Sequence, residues 1–326
     1  MTRVAAIDCG TNSIRLLVAQ VDPASGVLTD LDRRMQIVRL GQDVDRTGRL
    51  APQALARTLA ATREYAQVCA DLGVQRIRFV ATSATRDAAN GAEFLAGVRA
   101  LIGVDAEVIS GSEEAALSFM GATRGLITAA VAAAGAEGAP GSAGRPSQEP
   151  VVVVDLGGGS TEVVLGTGSD GRVEASRSVD VGSVRLTERY LAGDPPSQDE
   201  LVAARAEVDR MLDQVADAVS LDRARQLVGL AGSVTTVTAH ALRLPRYDSA
   251  RIHACVLPVS QVRAACEDLV TMSREQRAAL PYLHPGRVDV IGAGALVLSR
   301  IVERVGLDEV VVSEHDILDG IAWSLA

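Results

Sequence analysis

The sequence predicts an α/β protein built from two related domains that face each other across a cleft. Three observations predict this fold class: apolar strand-like segments alternate with helical ones, 326 residues exceed what one ordinary core accommodates, and one motif occurs twice. The motif is an apolar strand, an aspartate, a glycine-containing turn with Ser or Thr, and a second strand. Its aspartates are Asp8 and Asp155, and the repetition indicates a duplicated structural unit.

The first half of the chain predicts a sheet that opens with an antiparallel meander. Apolar residues 3–8 and 14–21 are followed by a strand-forming run at 26–38, so the first strands are neighbours in sequence. Strands and helices then alternate, as they do in α/β domains. The predicted elements are helix 52–72, strand 77–81, helix 88–102, strand 105–109 and helix 112–126.

The second half begins with a strand after a stretch of different composition. Residues 127–150 are rich in Ala, Gly, Pro and Ser, which predicts a flexible linker or loop, with a mobile functional lid as the alternative. We therefore place domain I at 1–126 and domain II at 151–305, and we expect the segment 306–326 to complete domain I. The predicted elements of this half are strands 151–154, 161–166, 172–180 and 227–230, helices 198–219, 233–242, 259–270 and 288–304, a strand at 308–312 and a terminal helix from about residue 315.

The composition excludes several classes of function. No lysine is present and all 32 basic residues are arginine, so a P-loop, which needs a lysine, is excluded. The net charge of −9 argues against non-specific nucleic-acid binding, although local arginines can still bind an anionic substrate. The cysteines lack metal-ligand spacing, and the sequence shows neither a secretory signal nor an uncharged apolar run long enough to span a membrane. We therefore expect a cytoplasmic protein without a membrane partner.

The duplicated turn has the chemistry of a phosphate site. Glycines let backbone N–H groups approach an anion, hydroxyl groups add donors, and the adjacent aspartate can hold a divalent metal. A third segment, Gly232-Ser233, opens a predicted helix whose N-terminus can bind phosphate, and an ordinary serine N-cap is an equal alternative. The candidate phosphate-binding residues are Gly10, Thr11, Asn12, Ser13, Gly157, Gly158, Gly159, Ser160, Thr161, Gly232 and Ser233.

These three segments together resemble the sugar kinase, heat-shock chaperone and actin superfamily, which implies an actin-like, ribonuclease H-like fold for each domain. A closer resemblance covers nearly the whole chain and is to the exopolyphosphatase and guanosine-pentaphosphate phosphohydrolase (Ppx/GppA) family, in its short two-domain form. It rests on five stretches that follow the family's order. They are DCGTNSIRL at 8–16, ATSATRDAAN at 81–90, ISGSEEA at 109–115, DLGGGSTE at 155–162 and GSVRLTE at 182–188.

The resemblance implies roles for individual residues. Glu114 matches the family's catalytic base, which orients or deprotonates the attacking water, and Arg86 matches an arginine that faces the cleft. The neighbouring Glu113 is interpreted as a first-turn helix residue favoured by the helix dipole. Because the candidate metal ligands are carboxylates beside hydroxyl groups, the expected metal is Mg²⁺. The residues that match positions near the metal and the phosphates are Asp8, Asp155 and Glu162.

We therefore expect an exopolyphosphatase that releases terminal orthophosphate from inorganic polyphosphate, with a preference for short chains. Phosphoryl transfer to water needs a positioning carboxylate and strong charge neutralisation, and these residue types supply both. The alternatives are a 5′-phosphohydrolase of guanosine pentaphosphate and an actin-like nucleotide-binding or sensing module or kinase. The Ser-Glu-Glu segment at 112–114 favours a hydrolase over a kinase. Members of the family often pair, so a homodimer is a further expectation from the resemblance.

Overall fold

The structure is a computed structural model that describes residues 2–22, 24, 27–134, 149–169 and 171–326. The chain forms two compact units: unit 1 consists of Met1–Gly121 with Ile317–Ala326, and unit 2 consists of Ala122–Asp316. Each unit contains one mixed β-sheet with helices, which confirms the predicted α/β fold class. Among the described residues, no helix has both the length and the apolar character needed to cross a lipid bilayer.

Unit 1 is built around a five-stranded sheet. Its strands are β1 (Thr2–Cys9), β2 (Ser13–Asp22), β3 (Val27–Ile37), β4 (Arg76–Ala81) and β5 (Ala106–Val108). They lie in the order β3-β2-β1-β4-β5, with an antiparallel meander from β1 to β3 and parallel pairing of β1, β4 and β5. The helices are α1 (Val44–Thr47), α2 (Pro52–Asp71), α3 (Ser83–Arg86), α4 (Gly91–Ile102), α5 (Gly111–Ala134, which continues into unit 2) and a C-terminal helix (Ile317–Trp323).

Both faces of this sheet are covered, which explains the apolar run at residues 4–7 of its central strand β1. Along β1, Val4 and Ala6 point to one face while Ala5 and Ile7 point to the other, and all four are fully buried. The second face packs against α2 and α4, and the first packs against the C-terminal helix. The same alternation places Asp8, near the end of β1, on the side of Val4 and Ala6.

Unit 2 repeats this plan with a larger sheet. Its strands are β6 (Pro150–Leu156), β7 (Thr161–Thr167), β8 (Arg172–Val179), β9 (Gln226–Leu230), β10 (Val256–Pro258) and β11 (Glu309–Val312). Its helices are α6 (Ser183–Tyr190), α7 (Gln198–Ala216), α8 (Ala231–Ala241), α9 (Ser249–Ile252), α10 (Val259–Thr271), α11 (Arg274–Ala278) and α12 (Ile291–Val305). The strand order is β10-β11-β9-β6-β7-β8, so β6 lies between an antiparallel and a parallel neighbour, as β1 does in unit 1.

The region predicted as a linker is partly helical. α5 continues to Ala134, beyond the predicted end at residue 126, because the Ala-rich sequence there has the strongest helix propensity. The remainder of the predicted linker, apart from residues 149 and 150, lies outside the described residues.

The segment 306–326, predicted to complete domain I, is divided between the two units. β11 pairs with β9 and β10 in the sheet of unit 2. Only Ile317–Ala326 belongs to unit 1. The sequence pattern identified the strand and the helix but could not show which sheet each one joins.

The C-terminal helix, α13 (Ile317–Trp323), packs closely on unit 1. A Cβ atom on Gly320 would lie 2.1 Å from the carbonyl oxygen of Leu117 in α5. The buried carboxylate of Asp319 accepts hydrogen bonds from Arg33 at 2.6 and 3.3 Å. Burial by itself lowers the pKa of Arg33, but its pairing with Asp319 and Asp30 raises that pKa above its ordinary value.

We expect Gly320→Ala to lower the free energy of unfolding by about 1–3 kcal/mol, because a methyl group against a backbone carbonyl forces one helix to move. Gly97→Ala is the matched control, since a Cβ atom there meets only the end of the Leu59 side chain. Thermal and urea denaturation of the purified variants measure both changes. Equal midpoints for Gly320→Ala and the wild type would contradict the close packing of α13 on α5.

Candidate active site

The candidate residues of unit 1 lie at one edge of its sheet. The parallel strands β1, β4 and β5 all end at this edge, where α/β folds commonly bind ligands. The parallel pairing therefore brings together segments that are far apart in sequence. The segments that follow the three strands are residues 10–13, 82–86 and 109–114.

Residues 10–13 form a tight hairpin between β1 and β2. The N–H group of Gly10 donates to the carbonyl of Ser13 at 3.0 Å, so the chain reverses over Thr11 and Asn12. The carbonyls of Thr11 and Asn12 accept hydrogen bonds from N–H groups in residues 38–41. Within the described residues, the N–H groups of Thr11 and Asn12 donate to no protein acceptor. The hairpin therefore offers backbone donors to an anion.

Glu114 and Arg86 form an ion pair at this edge. The Nη1 atom of Arg86 lies 3.2 Å from Oε2 of Glu114 and donates to the carbonyl of Ile109 at 2.7 Å. Glu114 is only 8% exposed, and its own N–H group donates to the carbonyl of Ser110 in the first turn of α5. The carboxylate of Glu114 is therefore largely buried and has an arginine partner at the edge where β4 and β5 end.

Glu113, the other acidic residue of this turn, has different surroundings. Its side chain is 45% exposed and pairs with Arg78 at 2.7 Å. Arg78 also pairs with Glu107 at 2.7 Å, so Glu113 belongs to a surface ion-pair network. This placement agrees with the interpretation of Glu113 as a helix-start residue.

Asp8 is paired with an arginine on the neighbouring strand. Arg15 lies directly opposite Asp8 in the antiparallel register and donates to its Oδ2 atom from Nε at 3.0 Å and Nη2 at 2.6 Å. The pair balances the charge of a buried carboxylate, so Asp8 has a structural role, and its role toward a metal stays a prediction. Burial, together with the charge of Asp8, raises the pKa of the Cys9 thiol, which makes Cys9 unsuitable as a nucleophile.

Residues 157–160 form the same hairpin in unit 2. The N–H group of Gly157 donates to the carbonyl of Ser160 at 3.1 Å, which matches the corresponding bond in unit 1. The carbonyls of residues 157–159 accept hydrogen bonds from N–H groups of residues 183–185 and from Nε of Arg185. In the part of the chain that the structure describes, the N–H groups of residues 158–160 donate to no protein acceptor. The duplicated sequence motif is therefore also a duplicated backbone geometry.

Two of the predicted hydroxyl donors are used inside the protein. The buried Thr11 hydroxyl lies 2.9 Å from the Ser83 hydroxyl, which links the hairpin to α3. The fully buried Thr161 hydroxyl donates to the carbonyl of Val181 at 2.5 Å. Each hydroxyl is hydrogen-bonded to a neighbouring segment of the protein. The backbone N–H groups of the hairpins are therefore better placed to bind phosphate than these two hydroxyls.

Asp155 and Glu162 form a pair of buried carboxylates. They lie directly opposite each other on β6 and β7, so their side chains leave the same face with Cβ atoms about 4.5–5.5 Å apart. Their exposed fractions are 7% and 1%, and Glu162 accepts a hydrogen bond from the Ser178 hydroxyl at 2.7 Å. Two neighbouring buried carboxylates repel each other unless a cation or a proton compensates one charge.

The oxygen donors of this pair fit a hard divalent cation. Mg²⁺ in proteins is commonly held by one or two carboxylates together with waters and substrate phosphates. Among the described residues, no group of three or more His, Cys, Asp or Glu side chains could hold a metal ion. Asp155 and Glu162 therefore fit Mg²⁺ that is bound together with a phosphate substrate, rather than a closed protein cage.

Gly232 and Ser233 lie in the first turn of α8, at the same sheet edge of unit 2 as Asp155, because β9 and β6 are parallel neighbours. Gly232 packs against Arg287, whose Nη1 atom donates to its carbonyl at 3.2 Å. A Cβ atom on Gly232 would lie 2.2 Å from Nη2 of Arg287. Ser233 is 8% exposed. A helix N-terminus and a guanidinium group are thus adjacent, a combination that suits phosphate.

Three arginines at these sites were not identified from the sequence: Arg15, Arg185 and Arg287. The chain contains 32 basic residues, all arginine, so residue type alone does not distinguish them. A signal existed for Arg15, because a two-residue reversal at 11–12 places residue 15 opposite residue 8, and for Arg185, which lies in the stretch GSVRLTE at 182–188. The contacts of Arg185 and Arg287 depend on how distant segments pack on the loops.

Comparison with known protein families shows an extensive match. The model described as the Ppx/GppA phosphatase family matches residues 17–326. The chain is 50% identical over 337 aligned positions to Exopolyphosphatase 2 of Mycobacterium tuberculosis, with 100% of this chain and 99% of the relative covered. It is 31% identical to the bifunctional 3-dehydroquinate synthase/phosphatase of Fusobacterium nucleatum, with 97% of this chain and 45% of that relative covered.

Solved structures show the same similarity. An exopolyphosphatase-like protein matches with a TM-score of 0.90 and 41% identity, covering 100% of this chain and 98% of that chain. A PPX-GPPA enzyme of Aquifex aeolicus matches with a TM-score of 0.79 and 30% identity, covering 99% of both chains. An exopolyphosphatase of Cytophaga hutchinsonii, at 22% identity and a TM-score of 0.86 over 99% of this chain and 97% of that chain, shares the fold.

We expect Glu162→Gln to reduce the rise in melting temperature that Mg²⁺ causes by roughly 2–4 °C, because it removes one of the two adjacent carboxylates that would hold the ion. Glu174→Gln, which alters a carboxylate on β8 that is already paired with arginines, is the control. Thermal denaturation across a Mg²⁺ titration makes the comparison. An unchanged Mg²⁺-induced shift in Glu162→Gln would exclude this carboxylate from the metal site.

Proposed function

Because the chain belongs to the Ppx/GppA phosphatase family, we propose that it is an exopolyphosphatase that releases terminal orthophosphate from inorganic polyphosphate. The 50% identity to a protein named Exopolyphosphatase 2, over nearly the full length of both chains, supports polyphosphate as the substrate. Guanosine pentaphosphate is the less favoured substrate. The residues assigned to binding all suit phosphate groups, which polyphosphate presents at every position.

One arrangement in unit 1 carries the proposal. The carboxylate of Glu114, its partner Arg86 and the outward N–H groups of the hairpin 10–13 belong to segments that leave the same edge of one sheet. Hydrolysis of a phosphoanhydride requires a group that orients water, a cation that neutralises charge and donors that hold phosphate oxygens. This edge supplies one of each.

Glu114 is the residue that orients the attacking water in this mechanism. Its carboxylate accepts a hydrogen bond or a proton from the water, whose oxygen forms a bond to the terminal phosphorus. The bond between that phosphorus and the bridging oxygen breaks, the shortened polyphosphate departs with that oxygen, and the attacked phosphorus is released as orthophosphate. Arg86 holds Glu114 in place through their contact at 3.2 Å and through its own bond to the carbonyl of Ile109.

The remaining groups bind and neutralise phosphate. The backbone N–H groups of each hairpin suit phosphate oxygens, and arginine is the basic side chain available to assist them, since lysine is absent. Arg15, which is paired with Asp8, and Arg287, which donates to the carbonyl of Gly232, are two such arginines. Mg²⁺, when bound by Asp155 and Glu162, supplies further charge neutralisation.

Two features of the wider proposal concern the protein as a whole. We place the enzyme in the cytoplasm because its four cysteines are free thiols in the structure. We further propose a homodimer, in line with the resemblance to the family. Sedimentation analysis of the purified protein tests the second feature directly.

We expect a higher kcat/KM for short-chain polyphosphate than for long-chain polyphosphate, guanosine pentaphosphate or ATP. Each phosphate of the polymer carries about one negative charge, and a protein with a net charge of −9 repels the part of a long polymer that extends beyond the site. Orthophosphate release from the four substrates, assayed in parallel, makes the test. Faster release from guanosine pentaphosphate would reject polyphosphate as the main substrate, and processive degradation of long chains would reject the length preference.

We expect Glu114→Gln to lower kcat by about 10²–10⁴-fold with little change in substrate binding, because the amide keeps the shape of the side chain but is not a base. Glu113→Gln is the matched control: it is the adjacent residue, and its ion pair with Arg78 lies on the surface. Steady-state kinetics of both variants give the comparison. Near-normal turnover of Glu114→Gln would remove this residue from the mechanism.

A further inference from the structure

In each unit, the segment that follows the third strand donates hydrogen bonds to the carbonyls of the hairpin, which is residues 10–13 in unit 1 and residues 157–160 in unit 2. We call this segment the clamp segment. In unit 1 this clamp segment is residues 38–41: the N–H groups of residues 38 and 39 donate to the carbonyl of Asn12 at 3.0 and 2.9 Å, and that of Gly41 donates to the carbonyl of Thr11 at 2.8 Å. It begins directly after β3.

The clamp segment of unit 2 is residues 182–185, which follow β8 and include the start of α6. Ser183 donates to the carbonyl of Gly157 at 3.0 Å, and residues 184 and 185 donate to that of Gly158 at 2.9 and 3.1 Å. The side chain of Arg185 donates from Nε to the carbonyl of Gly159 at 2.8 Å.

These bonds determine where the hairpin N–H groups point. In a planar trans peptide group, the C=O and N–H bonds point in opposite directions. Fixing the carbonyls of Thr11 and Asn12 against a clamp segment therefore directs the N–H groups of the next residues, Asn12 and Ser13, away from it. In unit 2 the same reasoning applies to three consecutive N–H groups, those of residues 158–160, which is the arrangement of an anion-binding nest.

Each clamp segment can reach the hairpin carbonyls only because one of its residues is a glycine, which has no Cβ atom. A Cβ atom on Gly182 would lie 2.5 Å from the carbonyl oxygen of Gly158 and 2.8 Å from the nitrogen of Gly159. A Cβ atom on Gly41 would lie 2.3 Å from Cγ2 of Thr11. The two glycines thus occupy comparable places behind the two hairpins.

We infer that Gly41 and Gly182 are positioning residues for phosphate binding: they allow the clamp segments to hold the hairpin carbonyls, and so they aim the backbone N–H groups at the bound phosphate. The inference rests on the proposed function for the identity of the anion. It adds two residues that touch no substrate and act only through the backbone of the hairpins.

The test compares Gly182→Ala, Gly41→Ala and the double variant Gly41→Ala/Thr11→Ser with Thr11→Ser alone. Thr11→Ser removes Cγ2, the atom nearest to a Cβ on residue 41, and keeps the hydroxyl that faces Ser83. The remaining contacts, 3.1 Å with Cβ of Ala84 and 3.2 Å with Cβ of residue 11, require only small adjustments. Gly97→Ala, whose new methyl group meets the Leu59 side chain, controls for a close contact elsewhere in unit 1.

We expect Gly182→Ala and Gly41→Ala to weaken orthophosphate binding, measured by calorimetry, by about 10- to 100-fold, because several hydrogen bonds to a charged group lose their alignment. KM for polyphosphate should rise in parallel, while kcat changes less. Thr11→Ser in the Gly41→Ala background should recover at least part of the lost affinity, and Gly97→Ala should bind as the wild type does.

The outcomes separate this inference from the proposed function. If the wild type binds orthophosphate but releases none from polyphosphate, the proposed function fails while the affinities of the variants still test the clamp. If folded Gly182→Ala and Gly41→Ala bind orthophosphate as the wild type does, the inference is wrong whatever the substrate. If Gly182→Ala does not fold, the Gly41 variants provide the test. A loss of affinity in Gly41→Ala that Thr11→Ser does not relieve would also show that the inference is wrong.

Discussion

The position of the first strand in each sheet is the constraint on which the rest of the structure depends. β1 and β6 each lie between an antiparallel neighbour, reached through a two-residue reversal, and a parallel neighbour, reached through helices. The reversal and the carboxyl ends of the parallel strands therefore meet at one edge of the sheet. Burial on both faces keeps residues 4–7 of β1 and 151–154 of β6 apolar, and a charged side chain follows each run, at Asp8 and Asp155.

Charge at these edges is handled differently in the two units. In unit 1 the buried carboxylates Asp8 and Glu114 each have an arginine partner within 3.2 Å. In unit 2 two carboxylates lie opposite each other on paired strands, with a serine hydroxyl bonded to one of them. A pair of adjacent carboxylates offers oxygen ligands to a divalent cation, whereas a cation beside Asp8 would compete with Arg15.

The backbone contributes as much to the candidate site as the side chains do. Thr11 and Thr161 are among the residues that the sequence predicts to bind phosphate, but their hydroxyls are hydrogen-bonded to neighbouring segments of the protein. The hairpins present N–H groups because their carbonyls are already bonded on the other side. Backbone N–H groups suit a phosphate site because they do not titrate. They also supply hydrogen-bond donors in a chain that lacks lysine.

The fold class, most strands and helices and the duplicated hairpin could be predicted from the sequence, because they follow from periodicity and from glycine and aspartate at a strand end. The separate interpretations of Glu113 and Glu114 came from the family motif. The folded structure was needed to show that residues 38–41 and 182–185 donate hydrogen bonds to the hairpins and that β11 joins the sheet of unit 2. It was also needed to show that Arg185 and Arg287 lie beside the loops. The physical reason is that these are contacts between segments distant in sequence, and they depend on close approach at Gly41, Gly182 and Gly232, where a missing Cβ atom leaves no periodic signal.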